Sequence, residues 1–423
     1  MLELNFFKSP EMLKKEITSI AYKISSDSSA IFPNWFNDTD GVVFEKHQLI
    51  VCGSVSREEI RALARTGNIV AIVDDELSKK LEWIFGIKLI TTSEWIDLVS
   101  KRREIISLIL VSTLNSTRHF IRQCVQHDFK FLTPIQILLA FQKYEIKTSS
   151  YGVLSHFGVN FFEYALKNVD ALISQCDIFV DEYSKISYLN MILYKLTLNP
   201  IYLETIAVGR GALRLDYNNY CFDKSYLNFS DDEVYVDCGA FTGDTLQAFL
   251  VAVKGEFRHI YTFEPDLKNN LEIEKRIATL QQYYLKPLKG AISIIKKGVW
   301  SDERTLEFLT SADHDLGAHI SQSGFHVNQE FSKSEVPVTS IDLATNQDAT
   351  FIKYEVEGSE LEALMGSIKT LERKKPKLMI AVYHKPEDIL TLPKYINGLD
   401  LGYKIGFRQH DIFKPDATNI YCY

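Results

Sequence analysis

Apolar positions in this chain fall into two kinds of run. Short unbroken runs such as His47–Cys52 and Asn68–Val73 have strand length. The stretch between them, Ser56–Arg65, repeats its apolar positions at helical spacing. Gly53 closes the first run, and Asp74 and Asp75 close the second. The pattern recurs as the strand Ile105–Val111, the polar turn Ser112–Ser116, the helix Thr117–His127 and the strand Phe129–Leu132. Two such βαβ units predict an open parallel sheet over residues 41–145, after a helical and loop lead-in over residues 1–40.

Residues 146–225 show helical spacing at Asn160–Ile173 and Tyr188–Leu198 and no strand series, which predicts a helical connector. From Glu233 the alternation returns. The strand runs are Glu233–Asp237, His259–Phe263, Gly290–Ile295, Phe351–Glu355, Lys377–His384, Tyr403–Phe407 and Asn419–Tyr423. The last two lie too close together for a helix between them. An antiparallel hairpin at the edge of an otherwise parallel sheet is expected, joined through Pro415 and Asp416. The fold class is therefore α/β. Two Rossmann-like domains, residues 1–145 and 226–423, flank the connector at 146–225.

Composition narrows the function. A chain of 423 residues exceeds one ordinary core, and 46% hydrophobic with 24% charged residues is ordinary for a folded soluble protein. The net charge of −8 comes without a basic stretch, so nucleic acid is not an expected partner. No apolar run approaches the ~20 residues of a membrane span. The start, MLELNFFKSPEMLKKEI, lacks the basic, apolar and small-residue pattern of a signal peptide, so a cytoplasmic location is the expectation. Six scattered cysteines predict neither disulfides nor a metal site.

The chemistry concentrates in VDCGAFTGDT. The strand delivers Asp237 to the carboxyl edge of the sheet, where open α/β folds bind ligands. Gly239 and Gly243, on either side of Ala240, let the backbone approach a ligand. Leu246, Phe249, Leu250 and Val253 then form the inner stripe of a helix. The spacing is GxxxG, not the GxGxxG of dinucleotide sites. Carboxylates at Asp237 and Asp244 repel a pyrophosphate but tolerate a zwitterionic amino-acid ligand with a sulfonium. Glu264, ending the next strand before Pro265, is placed to accept hydrogen bonds from two ribose hydroxyls. In the N-terminal half, LIVCGSVS has one glycine where a dinucleotide fingerprint needs three. A structural sheet is the stronger reading there, with substrate recognition or self-association into a homo-oligomer as its roles.

VDCGAFTGDT, FEP, GVWSD, VPVTSID, FIKYEVEGSELEALMGS and MIAVYHKPEDI follow one another in that order. Together, over Asp232–Tyr423, they resemble the FkbM family of S-adenosylmethionine-dependent methyltransferases. The resemblance implies a class I methyltransferase sheet and S-adenosylmethionine as cofactor. It makes Asp237, Gly239, Ala240 and Gly243 the cofactor loop and Glu264 the ribose acceptor, and puts Ser301 and Asp302 beside adenine. Lys353, Glu355 and Glu357 fall in the family's IKxDxEG stretch, with Glu355 standing where aspartate is usual. If the strand stays extended, these three share a face.

The implied reaction is O-methylation of a sugar hydroxyl in a glycan or polysaccharide precursor. A hydroxyl nucleophile is helped by a base, for which His384 ranks first by type and position and Glu357 second. His314 and His319, in the loop Ser311–Phe325, suit a substrate lid. The competing expectation is a non-catalytic sugar-nucleotide-binding or scaffolding protein with a degenerate methyltransferase domain.

Overall fold

In the computed structural model, the described residues are 8–26, 37–38, 41–42, 47–53, 57–66, 68–111, 114–134, 136–137, 156–199, 201–204, 206, 220–283, 287–311, 319–320, 331–411 and 417–423. They divide into two compact units. One comprises Met1–Ser174 and Ile186–Ile206; the other comprises Gln175–Lys185, Ala207–Asp411 and Pro415–Tyr423. The segment expected as a connector is thus shared between the two. Among the described residues no helix is long and apolar enough to cross a membrane.

The first unit carries a six-stranded sheet in the order Trp83–Ile84, Ile87–Ile90, Asn68–Val73, Gln48–Cys52, Ile106–Ile109, Phe131–Leu132. All pairings are parallel except the terminal hairpin Trp83–Ile87. The expected strands and helices are present. The Ile87–Ile90 strand and the Thr92–Lys101 helix are additional. A capping box starts that helix: Thr91 Oγ1 accepts from Glu94 N, and the Glu94 carboxylate accepts from Thr91 N.

The lone glycine of LIVCGSVS has a packing explanation. Gly53 has φ +106°, and a Cβ there would stand 1.9 Å from Val111 Cγ1. Asp74 and Asp75 are also engaged internally. Asp74 Oδ1 accepts from the backbone of Glu76 and Leu77, and Asp75 accepts from Thr92 N and Oγ1.

The second unit is built on a seven-stranded sheet in the order Lys289–Ile295, Glu256–Phe263, Val234–Cys238, Phe351–Tyr354, Lys377–Ala381, Thr418–Cys422, Ile405–Gln409. The first five strands run parallel. Thr418–Cys422 inserts between Lys377–Ala381 and Ile405–Gln409, antiparallel to both. The expected hairpin therefore forms, but only its last strand runs against the rest of the sheet.

The stripe Leu246, Phe249, Leu250 and Val253 is buried under this sheet, where Phe249 stacks on Tyr235 at 4.4 Å. The resulting core also takes in Phe222, Phe257 and Phe351. A smaller four-stranded sheet, Gly298–Val299, Phe331–Thr339, Arg304–Ser311 and His319–Ile320, buries Trp300, Leu306, Val336 and Val338. Its two longer strands scatter a few apolar residues among polar ones, a weak signal beside the buried runs of the main sheet. Of the expected lid, His314 lies outside the described residues, and His319 pairs with Leu309 in this small sheet.

Candidate active site

Four parallel strands of the second unit end at the same edge, and the loops that leave them meet there. The first loop follows Val234–Cys238. Gly239 N and Ala240 N both donate to Phe263 O, and Gly243 N donates to Ala240 O at 2.7 Å. Gly239, Phe241 and Gly243 all take positive φ, the last as the cap of the Asp244–Ala252 helix. Arg276 holds the turn from outside, donating to Thr242 O at 2.7 Å and to Gln247 Oε1.

Glu264 closes this loop. One carboxylate oxygen accepts from Phe241 N and the other from Asp266 N, both at 2.9 Å. Burial pushes its carboxyl up to about 7, although these hydrogen bonds pull the other way.

Asp237 and Lys353 are direct partners across adjacent parallel strands, so their side chains share a face. Both are fully buried. Lys353 Nζ lies 3.1 Å from Asp237 Oδ1, 3.0 Å from Gly239 O and 3.2 Å from Glu355 Oε2. The other Asp237 oxygen accepts from Thr245 Oγ1 at 2.7 Å. Burial works against charge on Lys353, but Asp237 and Glu355 hold it well above the ordinary lysine value. Burial pushes the Asp237 carboxyl up, and Lys353 and Thr245 only partly offset this. Since Lys353 offsets the charge of Asp237, the repulsion expected between Asp237 and a pyrophosphate is weaker than the sequence suggests.

Glu355 accepts from Tyr220 OH at 2.6 Å and Tyr383 OH at 2.8 Å besides its ion pair with Lys353. Burial alone would raise its carboxyl; Lys353 and the two phenols hold it below the usual range. It is a stable anion and a poor base.

Lys353 and Glu355 do share a face, but Glu357 does not continue it. The strand ends at Tyr354, and Glu357 takes φ +51° before Gly358 at +92°. This turns Glu357 toward His384, with Glu357 Oε2 3.7 Å from His384 Nε2. His384 Nδ1 pairs at 2.8 Å with the buried Glu360. Burial disfavours the imidazolium, yet Glu360, Glu357 and Glu355 together push it up to about 10.

All the sequence-derived site residues but two therefore gather at this edge. Ser301 and Asp302 lie on the turn after Gly298–Val299, where Asp302 pairs with Arg304 and its side chain is 47% exposed. Among the described residues no group of three or more histidine, cysteine or acidic side chains is arranged to hold a metal.

Glu360, Tyr220, Tyr383 and Asp388 join the site without having been anticipated. In sequence Glu360 reads as a carboxylate favoured by the helix N-terminus. Nothing local ties it to a histidine on the next strand. The two tyrosines carry no motif.

Residues 237–405 match the model of the methyltransferase FkbM domain. That segment is a methyltransferase FkbM domain. The crystal structure of methyltransferase FkbM from Methylobacillus flagellatus KT is similar at 23% identity, covering 98% of this chain and 100% of that chain with a TM-score of 0.71. That likeness shows a shared fold. A fibrillarin/Nop5p complex aligns at 14% identity over 47% of this chain and 75% of that chain, with a TM-score of 0.27 that carries no argument. No curated protein matches the chain. Within the FkbM domain, the gathered edge spans Asp237 to His384.

Proposed function

We propose that the FkbM domain binds S-adenosylmethionine along this edge and O-methylates a sugar hydroxyl of a glycan or polysaccharide precursor. The residues fit that cofactor. Glu264 Oε2 accepts from Phe241 N and keeps a lone pair for one ribose hydroxyl, while Oε1 accepts from Asp266 N and, at 3.4 Å, from Asn269 Nδ2, a long contact that a second ribose hydroxyl would displace. Glu355 and Glu357 supply negative charge near a sulfonium. When bound, the cofactor supplies the methyl group and retains the sulfur electron pair as a thioether.

The observation that carries the reading is the 3.7 Å separation of Glu357 Oε2 and His384 Nε2, too long for a direct hydrogen bond. An acceptor hydroxyl that bridges them from the side, within hydrogen-bond reach of each, donates its proton to Glu357 and accepts from Nε2–H, which orients its remaining lone pair. In this reading the ranking of bases anticipated from sequence is reversed. His384 is held protonated and serves as the donor, while Glu357 takes the proton. Lys353 and Glu355 keep the loop ends in place, and Asp237, Gly239, Ala240 and Gly243 shape the cofactor loop. Ser301 and Asp302, on the separate turn after Gly298–Val299 where Asp302 pairs with Arg304, are proposed beside adenine on the family resemblance alone. The substrate class follows from the family resemblance.

Calorimetry with S-adenosylmethionine, followed by labelled-methyl transfer to a panel of glycans, tests this. Absence of binding heat overturns the cofactor assignment. Tight binding without transfer to any glycan favours the non-catalytic alternative.

A further inference from the structure

Behind His384 lies a second group of acidic side chains to which the proposed reaction assigns no role. Glu360 is 1% exposed, and its Oε1 accepts from both His384 Nδ1 and Val356 N at 2.8 Å. Its other oxygen is buried without a hydrogen-bond partner, as is the hydroxyl of neighbouring Ser359. A carboxylate that merely favours a helix N-terminus sits in water. Burying one is costly unless a cation answers it. Asp388 is also buried, at the start of the Asp388–Gly398 helix, and its Oδ2 accepts from Lys385 N at 2.7 Å.

We propose that Glu360 is a positioning residue for methyl transfer, fixing the His384 ring and its Nδ1 proton from behind so that Nε2–H faces Glu357. This rests on the methyltransferase reading above and adds to it the residue that sets the charge of His384.

The groups facing His384 are Glu355 and Glu357 from the strand-end segment, Glu360 from the following helix and Asp388 from the later helix. Tyr383 and Lys385 flank it in the chain, and Lys353 acts through Glu355. Burial, and next the charge of Glu360, push Asp388 up to about 8, so it is neutral at pH 7. The imidazolium then answers Glu360 and Glu357 without a further charge from Asp388. Without the Glu360 charge, burial dominates and His384 loses its second proton near or below neutrality.

The test is nitrogen-15 histidine NMR of the full chain across pH 5 to 10, alongside S-adenosylmethionine calorimetry. In the wild type the His384 ring stays doubly protonated through pH 8. Glu360→Gln brings its titration into the range pH 5 to 7.5, and Glu360→Asp, which keeps the charge, restores it toward the wild-type position. Asp388→Asn leaves the His384 titration unchanged through pH 7. With a glycan found in the transfer assay, Glu360→Gln lowers kcat/KM at pH 8 by about tenfold or more and much less at pH 6. A wild-type His384 that titrates near 6.5, or the same pH dependence in wild type and Glu360→Gln, overturns the proposal. Loss of cofactor binding in the wild type instead removes the reading beneath it, and the NMR result is independent of that.

Discussion

The α-carbon of Gly239 lies directly against the carbonyl of Glu355: a Cβ built on the glycine would stand 1.9 Å from that oxygen. The adjacent strands Val234–Cys238 and Phe351–Tyr354 thus end in loops whose backbones touch, and Gly239 adopts φ +81° to allow it. Gly239→Ala meets both the steric conflict and the unfavourable φ. It is expected to destabilise the second unit by about 2 kcal/mol or more, read as a lower urea midpoint with unchanged slope.

Lys353 is the cation on which buried Asp237 and partly buried Glu355 both depend. Lys353→Met leaves Asp237 and Glu355 without it and is expected to lower stability by about 3–5 kcal/mol. The sign with pH follows. In the variant both carboxyl groups are raised above their unfolded values, so protonation relieves them and the deficit is smaller at pH 5 than at pH 8. Urea denaturation at the two pH values checks this, and an equal deficit at both would refute the assignment.

Glu264 ties the cofactor loop to ionisation near neutrality. Its carboxyl, pushed up to about 7, must be ionised to accept two ribose hydroxyls. S-adenosylmethionine affinity is expected to rise about tenfold for each pH unit from 5.5 toward 7 and then level off. Glu264→Gln should bind weakly and lose that dependence, which calorimetry at several pH values reads out.

His384 sets a different window. Its folded-state value of about 10 stands above the ordinary 6.5, so the native state holds the proton more tightly than the unfolded chain. The stabilisation is fully present below pH 6.5 and is lost as pH rises through about 10. Relative to wild type, His384→Asn should show a flatter dependence of unfolding free energy on pH between 7 and 10.

Tyr383→Phe and Tyr220→Phe each remove one donor from Glu355 while leaving its ion pair with Lys353 intact. Each is expected to cost about 1 kcal/mol of stability. A double-mutant cycle should show non-additivity, because the two hydroxyls also contact one another at 2.9 Å.

Much of this was readable along the chain, because buried parallel strands leave unbroken apolar runs and their helices leave a stripe. Asn68–Val73 agrees residue for residue with its expected strand, and the main-sheet strands lie within a few residues of theirs. The capping box at Thr91 and Glu94 is equally local, a threonine followed three residues later by a glutamate. The small sheet around Val336 left only a faint signal.

By itself, the sequence determined which residues stand at the strand ends: Asp237 and the GxxxG turn, Glu264, Lys353 to Glu357, and His384. Periodicity and order are local properties, and they suffice to bring those positions to one edge. What each side chain does there was decided by tertiary structure. Only cross-strand register opposes Lys353 to Asp237. Only the left-handed turn at Glu357 separates it from Glu355, and only packing buries Glu360 against His384. Protonation is set by burial and by neighbours distant in sequence. That is why His384, first in rank as a base by residue type, is assigned the donor's role in the proposed reaction once Glu360 is beside it.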